Sequence, residues 1–272
     1  MSRILEFSRA GLTFDVIDGG PEDGDPVVLL HGCPERAGAW SDVAEQLHAE
    51  GLRTYAPDQR GYAPRARPKS RFNYRPGQLG DDVAELINQI GRPVHLVGHD
   101  WGAAVAWVVA CRHAASVRTL TAASVPHPTA FLLAMFTSDQ LIRSYYMGLW
   151  QLPWLPERIM SDPQRSRRFL KGMTDAELET FDRDIVGHGA IGPAINWYRS
   201  MMLSSPLPKC EVPTTHVWGA QDPFLGRTGA ESCGKYVAAD YRLDVIEDGN
   251  HWLPTQQPTR LSRSILERVN SL

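Results

Sequence analysis

The sequence predicts an α/β protein: a mostly parallel central sheet flanked by helices, with a helical cap inserted after a core strand. Two observations carry that expectation. Apolar runs of strand length alternate with helix-length segments at both ends of the chain, the pattern of a parallel sheet covered on both faces. The alternation stops after Ser124 and resumes near Thr214. The interval between is rich in aromatic residues and methionine and holds no clear strand. The expected division is a core of residues 1–127 and 209–272 and a cap of residues 128–208.

The elements follow in order. Two short strands are expected near Leu5–Ser8 and Leu12–Asp18, before the turn-rich Gly19-Gly20-Pro21-Glu22-Asp23-Gly24. Val27-Val28-Leu29-Leu30-His31 is a continuous apolar run and reads as a strand buried on both faces. A helix near Ala39–Glu50 stops at Gly51, and a strand follows at Arg53–Pro57. The next helix is expected near Gly80–Ile90, ended by Gly91. Val94–Gly98 reads as a strand, Ala103–Arg112 as a helix and Val117–Ser124 as a strand. Pro126 and Pro128 mark the change to the cap. The α/β pattern returns at Thr214–Gly219 and Tyr241–Ile246, and a last helix covers roughly Pro258–Asn270.

Bulk properties narrow the function. The chain has 272 residues, 43% hydrophobic, with a net charge of −3, which fits a globular protein with a substantial core. Nothing in that charge points to nucleic acid. The basic loop from Arg60 to Arg75 has no support from a net positive charge and reads as solvated. The N-terminus has no apolar leader-like core, and no stretch approaches the ~18 apolar residues that span a bilayer. Cys33, Cys111, Cys210 and Cys233 form no CxxC pair, so reduced thiols in a cytoplasmic protein are expected. The sequence leaves monomer and homodimer open.

The chemistry centres on Val94-His95-Leu96-Val97-Gly98-His99-Asp100-Trp101-Gly102. A strand, a sharp Gly-X-Asp-X-Gly turn and a small-residue helix make a nucleophile elbow with a carboxylate at its tip. A carboxylate suits attack on saturated carbon, where it makes an alkyl ester, and is poor at acyl transfer. An elbow needs a base and an acid to orient it, in the chain order nucleophile, acid, histidine. Asp222 follows the strand ending at Gly219, and His251 follows the last strand. Both belong on the edge where Asp100 projects. His31-Gly32-Cys33-Pro34-Glu35 lies where half of an oxyanion hole is expected, so the backbone N–H groups of Cys33 and Trp101 are assigned to it. A cis Cys33–Pro34 bond fits such a turn. His31 and His99 read as scaffold residues, and Glu35 as a partner of a water, a histidine or a plain salt bridge.

These motifs resemble the epoxide hydrolases of the α/β-hydrolase superfamily. Two cap segments sharpen the resemblance. Tyr145-Tyr146-Met147-Gly148-Leu149-Trp150-Gln151-Leu152-Pro153 is similar to the family's tyrosine followed by aromatic-Gln-X-Pro, and the register from Gln151 and Pro153 selects Tyr146. Asn196-Trp197-Tyr198-Arg199 is similar to the second cap motif and selects Tyr198. Cys33 departs from the phenylalanine common at that position, which leaves a backbone donor intact. The stretch Ala63–Arg67 is also less typical and concerns the pocket mouth.

The resemblance implies opening of an apolar epoxide to a vicinal diol with water, no metal or organic cofactor, and the α/β-hydrolase fold. Ring opening makes a basic alkoxide, and a phenol of pKa about 10 can supply the proton while staying neutral at working pH. Tyr146 and Tyr198 are expected to grip the ring oxygen while Asp100 attacks. Trp101, Trp150 and Trp197 are expected to join them in holding substrate. A haloalkane dehalogenase shares the triad and would use the Trp101 indole for halide, but Cys33 stands where an Asn donor would serve. A non-catalytic receptor on the same scaffold would be marked by a broken triad or lost tyrosines.

Overall fold

Period-two sorting of aliphatic side chains builds the sheet. The computed structural model describes residues 2–203 and 205–272, with Met202 through its backbone alone. Eight strands, β1 (Glu6–Arg9), β2 (Leu12–Gly19), β3 (Asp25–Leu30), β4 (Leu52–Pro57), β5 (Val94–His99), β6 (Val117–Ala123), β7 (Thr214–Gly219) and β8 (Tyr241–Ile246), form one sheet. Its order is β1-β2-β4-β3-β5-β6-β7-β8. β1 and β2 are antiparallel additions at one edge, and the strands from β4 to β8 run parallel. All residues of β4, β5 and β7 are buried, as strands covered on both faces must be.

Successive residues of β3 go to opposite layers. Val27 and Leu29 join Trp40, Val43, Leu47, Leu261 and Ile265 in one core cluster. That layer carries α1 (Ser41–Ala49) and a C-terminal helix, Pro258–Val269. Val28 and Leu30 join the opposite cluster with Val83, Leu86, Val105 and Ala106. These come from α2 (Pro76–Ile90) and α3 (Trp101–Arg112).

α2 starts earlier than its expected start near Gly80. Pro76 takes its first position, where a missing N–H is harmless and the fixed φ suits a helix. Its end at Gly91, with φ of 79°, is the left-handed cap that glycine serves. Two short helices of small and polar residues, Arg227–Ser232 and Leu253–Gln256, carried no periodic signal.

Between β6 and β7 every regular element among the described residues is helical. Three short ones open the insert: α4 (Pro128–Thr137), α5 (Gln140–Arg143) and α6 (Tyr145–Leu149). α7 (Ile191–Ser200) lies towards its end, and the C-terminal helix is α8.

The loop of Arg60–Arg75 is only partly solvated, which corrects the sequence expectation. Arg60 is buried and chelates both oxygens of Asp82, through Nε and Nη2, each at 2.7 Å. Arg67 donates to the carbonyls of Gly61, Tyr62 and, across to the cap, His188. Charge counting missed this because backbone carbonyls, not acidic side chains, accept from Arg67. Trp197 on α7 adds a second tie, its indole N–H donating to the Arg60 carbonyl at 2.8 Å.

Candidate active site

Asp100 sits at the turn from β5 to α3 with φ 50° and ψ −120°, a conformation non-glycine residues rarely hold. The flanking glycines make the turn possible. A Cβ on Gly102 would collide with the Leu30 carbonyl oxygen, and one on Gly98 with the Gly102 carbonyl oxygen. The Asp100 N–H is tied to the Ala123 carbonyl at 3.1 Å. The strained carboxylate is thereby fixed at the C-terminal edge of the sheet, where open α/β sheets bind ligands.

The loops after β7 and β8 bring Asp222 and His251 to it. His251 Nδ1 donates to Asp222 Oδ2 at 2.7 Å, and Nε2 stands 3.6 Å from Asp100 Oδ1. The other Asp222 oxygen accepts from the N–H groups of Phe224 and Leu225 at 2.7 and 2.9 Å, which fixes the carboxylate. Burial alone would pull the His251 imidazole down. The Asp222 and Asp100 carboxylates outweigh it and push His251 up to about 10. Burial would likewise raise Asp100, but the His251 and His99 rings and the Cys33 N–H hold it below its ordinary value.

Cys33 and Pro34, joined by a cis bond, cross in front of the elbow. The Cys33 N–H donates to Asp100 Oδ2 at 2.9 Å. The Trp101 N–H is one of the unsatisfied donors at the start of α3. Among the described residues it makes no hydrogen bond to Asp100, so only one arm of the expected hole engages the resting carboxylate. The Cys33 thiol is pushed up to about 12, chiefly by burial and then by Asp100, so it is a poor nucleophile.

The remaining histidines of the region hold the frame. His31 Nδ1 donates to the Gly32 carbonyl at 2.9 Å, and its Nε2 accepts from the Gln59 N–H at 3.1 Å. His99 Nε2 donates to the His251 carbonyl at 2.8 Å, and its Nδ1 lies 2.9 Å from Glu35 Oε2. Glu35 therefore partners a histidine that braces the backbone of His251.

The cap lowers two phenols over this floor. Tyr146 on α6 and Tyr198 on α7 have ring centroids 6.0 Å apart and line one cavity with Asp100, Cys33 and His251. Tyr145, its neighbour in sequence, is 55% exposed, so helix geometry turns only Tyr146 inward. Gln151 links the two segments, donating to the Tyr198 carbonyl at 3.0 Å, and Arg199 Nε donates back to the Trp150 carbonyl at 3.2 Å. Burial, then the Asp100 and Asp222 carboxylates, pushes the Tyr146 phenol well above its ordinary value. Burial, then the Cys33, Tyr146 and Asp100 groups, does the same for Tyr198. Both phenols are therefore protonated at neutral pH.

The cavity is lined mostly by apolar surface. Trp150 lines it. Trp101 and Trp197 do not, a departure from the sequence expectation. Trp197 is one residue, or about 100°, around α7 from Tyr198. Its ring packs edge-on against Tyr62 and Trp101, behind the site. Trp101 packs edge-on against Tyr198 with centroids 4.9 Å apart, as a support for the phenol. The sequence reading missed several lining residues. Ile191, Ala194, Ile195 and Tyr198 all reach the cavity from α7. Their i, i+3, i+4, i+7 spacing is a one-face signal that was available. Phe224 and Trp252, beside the acid and the base, complete the wall.

Among the described residues no group of three or more His, Cys, Asp or Glu side chains is placed to hold a metal ion.

Comparison with known proteins agrees with this architecture. Residues 27–263 match the Alpha/beta hydrolase family. The chain is 31% identical over 275 residues to the AB hydrolase superfamily protein YfhM of Bacillus subtilis (strain 168), covering 96% of each chain. It is 32% identical over 280 residues to Epoxide hydrolase 3 of Xenopus tropicalis, covering 96% of this chain and 76% of that one. The fold matches the crystal structure of a Bacillus megaterium epoxide hydrolase in complex with an inhibitor, with a TM-score of 0.88 at 22% identity, over 98% of this chain and 100% of that one. The chain belongs to the alpha/beta hydrolase family and, within it, to the epoxide hydrolases.

Proposed function

We propose that this protein opens apolar epoxides to vicinal diols through an ester on Asp100. The observation that carries the reading is the single cavity in which Asp100 and His251 face Tyr146 and Tyr198. Asp100 Oδ2 is engaged by Cys33, so Oδ1 is the attacking atom. Tyr146 and Tyr198 hydrogen-bond the ring oxygen and one of them supplies the proton as the carbon–oxygen bond breaks. Two donors on one oxygen also set the ring for attack from the opposite side. His251, oriented by Asp222, then takes a proton from a water that adds to the ester carbonyl. Oδ2 becomes the oxyanion, with the N–H of Cys33 and that of Trp101 as its donors. Such a donor is typically worth about 3 kcal/mol. Collapse of that intermediate breaks the Cγ–Oδ1 bond, and the leaving alkoxide takes the proton held by His251 to complete the diol. The proton left on the new carboxyl returns to the tyrosinate, which restores both the carboxylate and the phenol.

Apolar lining by Trp150, Phe169, Leu170 and Ile195 supports an apolar substrate. The dehalogenase reading needs the Trp101 indole in the cavity, and Trp101 is not among the residues that line it. A reducing, cytoplasmic setting is part of the proposal, supported by four cysteines that form no disulfide.

A single turnover in heavy-oxygen water, with enzyme in excess over styrene oxide, tests the route. The label is expected in Asp100 and absent from the diol. Label in the first-turnover diol means that water attacks the epoxide directly.

A further inference from the structure

We propose that the cap face formed by α4, α5 and Tyr145 docks on an anionic lipid surface. Resting on the hydrolase reading above, this face also feeds apolar epoxide from the lipid into the cavity.

α4 is apolar nearly all round, yet buries only Ala130 and Ala134. A surface helix normally hides an apolar stripe and shows a polar one. Here the outward positions include Leu132, Leu133 and Phe136, and α5 adds Leu141 and Ile142. Phe136 is 80% exposed and Ile142 75%. From Pro128 to Ser138 there is no charged side chain. Single exposed leucines need no explanation, but a run of this kind marks an interaction surface.

The face continues into the cavity. The Tyr145 ring is half exposed, 6.1 Å from Tyr146 and 6.4 Å from Phe169, centroid to centroid. Tyr146 and Phe169 both line the cavity. Tyr145 therefore touches, on its inner side, two rings of the cavity that holds Asp100.

Charge selects the occupant. Arg165, Arg167, Arg168 and Lys171 are all exposed and surround Phe169 and Leu170 in the chain, with Arg165 lying 3.4 Å from Asp162 and Arg167 3.7 Å from Asp175 in exposed pairs of little strength. Residues 139–171 carry three more basic than acidic side chains, in a chain whose net charge is −3. A basic rim beside an apolar patch matches anionic headgroups over acyl chains. A second copy seated face to face would bring these cations against their own kind. No helix of the described residues is long and apolar enough to cross a membrane, so the contact is on the surface.

Flotation with lipid vesicles tests this without reference to turnover. The full chain is expected to float with mixed phosphatidylcholine–phosphatidylserine vesicles, to float poorly with phosphatidylcholine alone, and to be released by high salt. Phe136→Asp/Ile142→Asp and, separately, Arg165→Glu/Arg168→Glu are each expected to lower the bound fraction about tenfold. All four side chains are exposed, and unchanged thermal unfolding confirms intact variants. The docking surface is overturned if the chain does not float, if both variants float like the parent, or if sedimentation shows a dimer that Phe136→Asp/Ile142→Asp dissolves. The feeding step has its own readout. A long-chain epoxide dissolved in the mixed vesicles should turn over more slowly with Phe136→Asp/Ile142→Asp, while a water-soluble epoxide should not. Flotation with no epoxide opened at all would leave the docking surface standing and remove the hydrolase reading. Turnover without flotation would do the reverse.

Discussion

His251 Nε2 stands 3.6 Å from Asp100 Oδ1, too far for a firm hydrogen bond and close enough for the carboxylate to raise the imidazole. The base and the nucleophile are thus coupled before substrate arrives. At neutral pH the resting His251, pushed up to about 10, is an imidazolium.

That coupling gives the two half-reactions different pH dependences. Alkylation of Asp100 deletes one of the two carboxylates that raise His251, so the imidazole in the ester loses its proton more easily than in the resting state. Hydrolysis needs the neutral ring and speeds up as pH rises through that lowered value. Ester formation needs ionised Asp100, held below its ordinary value, and protonated phenols held above theirs. It stays flat across the neutral range. Rapid-quench measurement of the ester should find it accumulating towards acid pH.

His251→Gln removes the base and spares the nucleophile. The ester is expected to form and persist, with turnover lowered about 10³-fold. Intact-mass measurement should show the enzyme heavier by one substrate.

Tyr146→Phe and Tyr198→Phe each take one donor from the ring oxygen. Each is expected to lower the rate of ester formation about 10²-fold, and the double variant further still. Ester hydrolysis should keep its rate, since neither phenol serves that step. Single-turnover kinetics separates the two. Equal loss in both steps would point to a packing role for the rings.

Trp197→Phe breaks the indole bond to the Arg60 carbonyl and leaves a buried acceptor unsatisfied. A loss of about 1–3 kcal/mol in denaturant unfolding is expected. Gly102→Ala drives a methyl into the Leu30 carbonyl and should cost at least as much, about 1–3 kcal/mol or more.

The parallel sheet was legible because β3 holds the unbroken aliphatic run Val27–Leu30, β5 is apolar at Val94, Leu96 and Val97, and Gly91 marks a helix end. The elbow was legible because its glycines and aspartate lie within five residues, Gly98 to Gly102. Tyr146 was separable from Tyr145 only through the spacing to Gln151, and the bond from Gln151 to the Tyr198 carbonyl gives that spacing a structural reason. What stayed hidden depends on tertiary direction. Trp197 and Tyr198 are adjacent in sequence and equally aromatic, but one residue of helical rotation sends the first to the core–cap seam and the second to the cavity. The short helices at Arg227–Ser232 and Leu253–Gln256 have too few apolar positions to show a period.

The bond from the Cys33 N–H makes the two oxygens of Asp100 unequal. On the proposed route Oδ2 stays anchored through the cycle, while Oδ1 departs in each product and is replaced from solvent. The enzyme therefore has one permanent and one renewable oxygen on the same side chain. After many cycles in heavy-oxygen water, peptide mass analysis should find a single heavy oxygen in Asp100, and a second would mean that the carboxylate swings free between cycles.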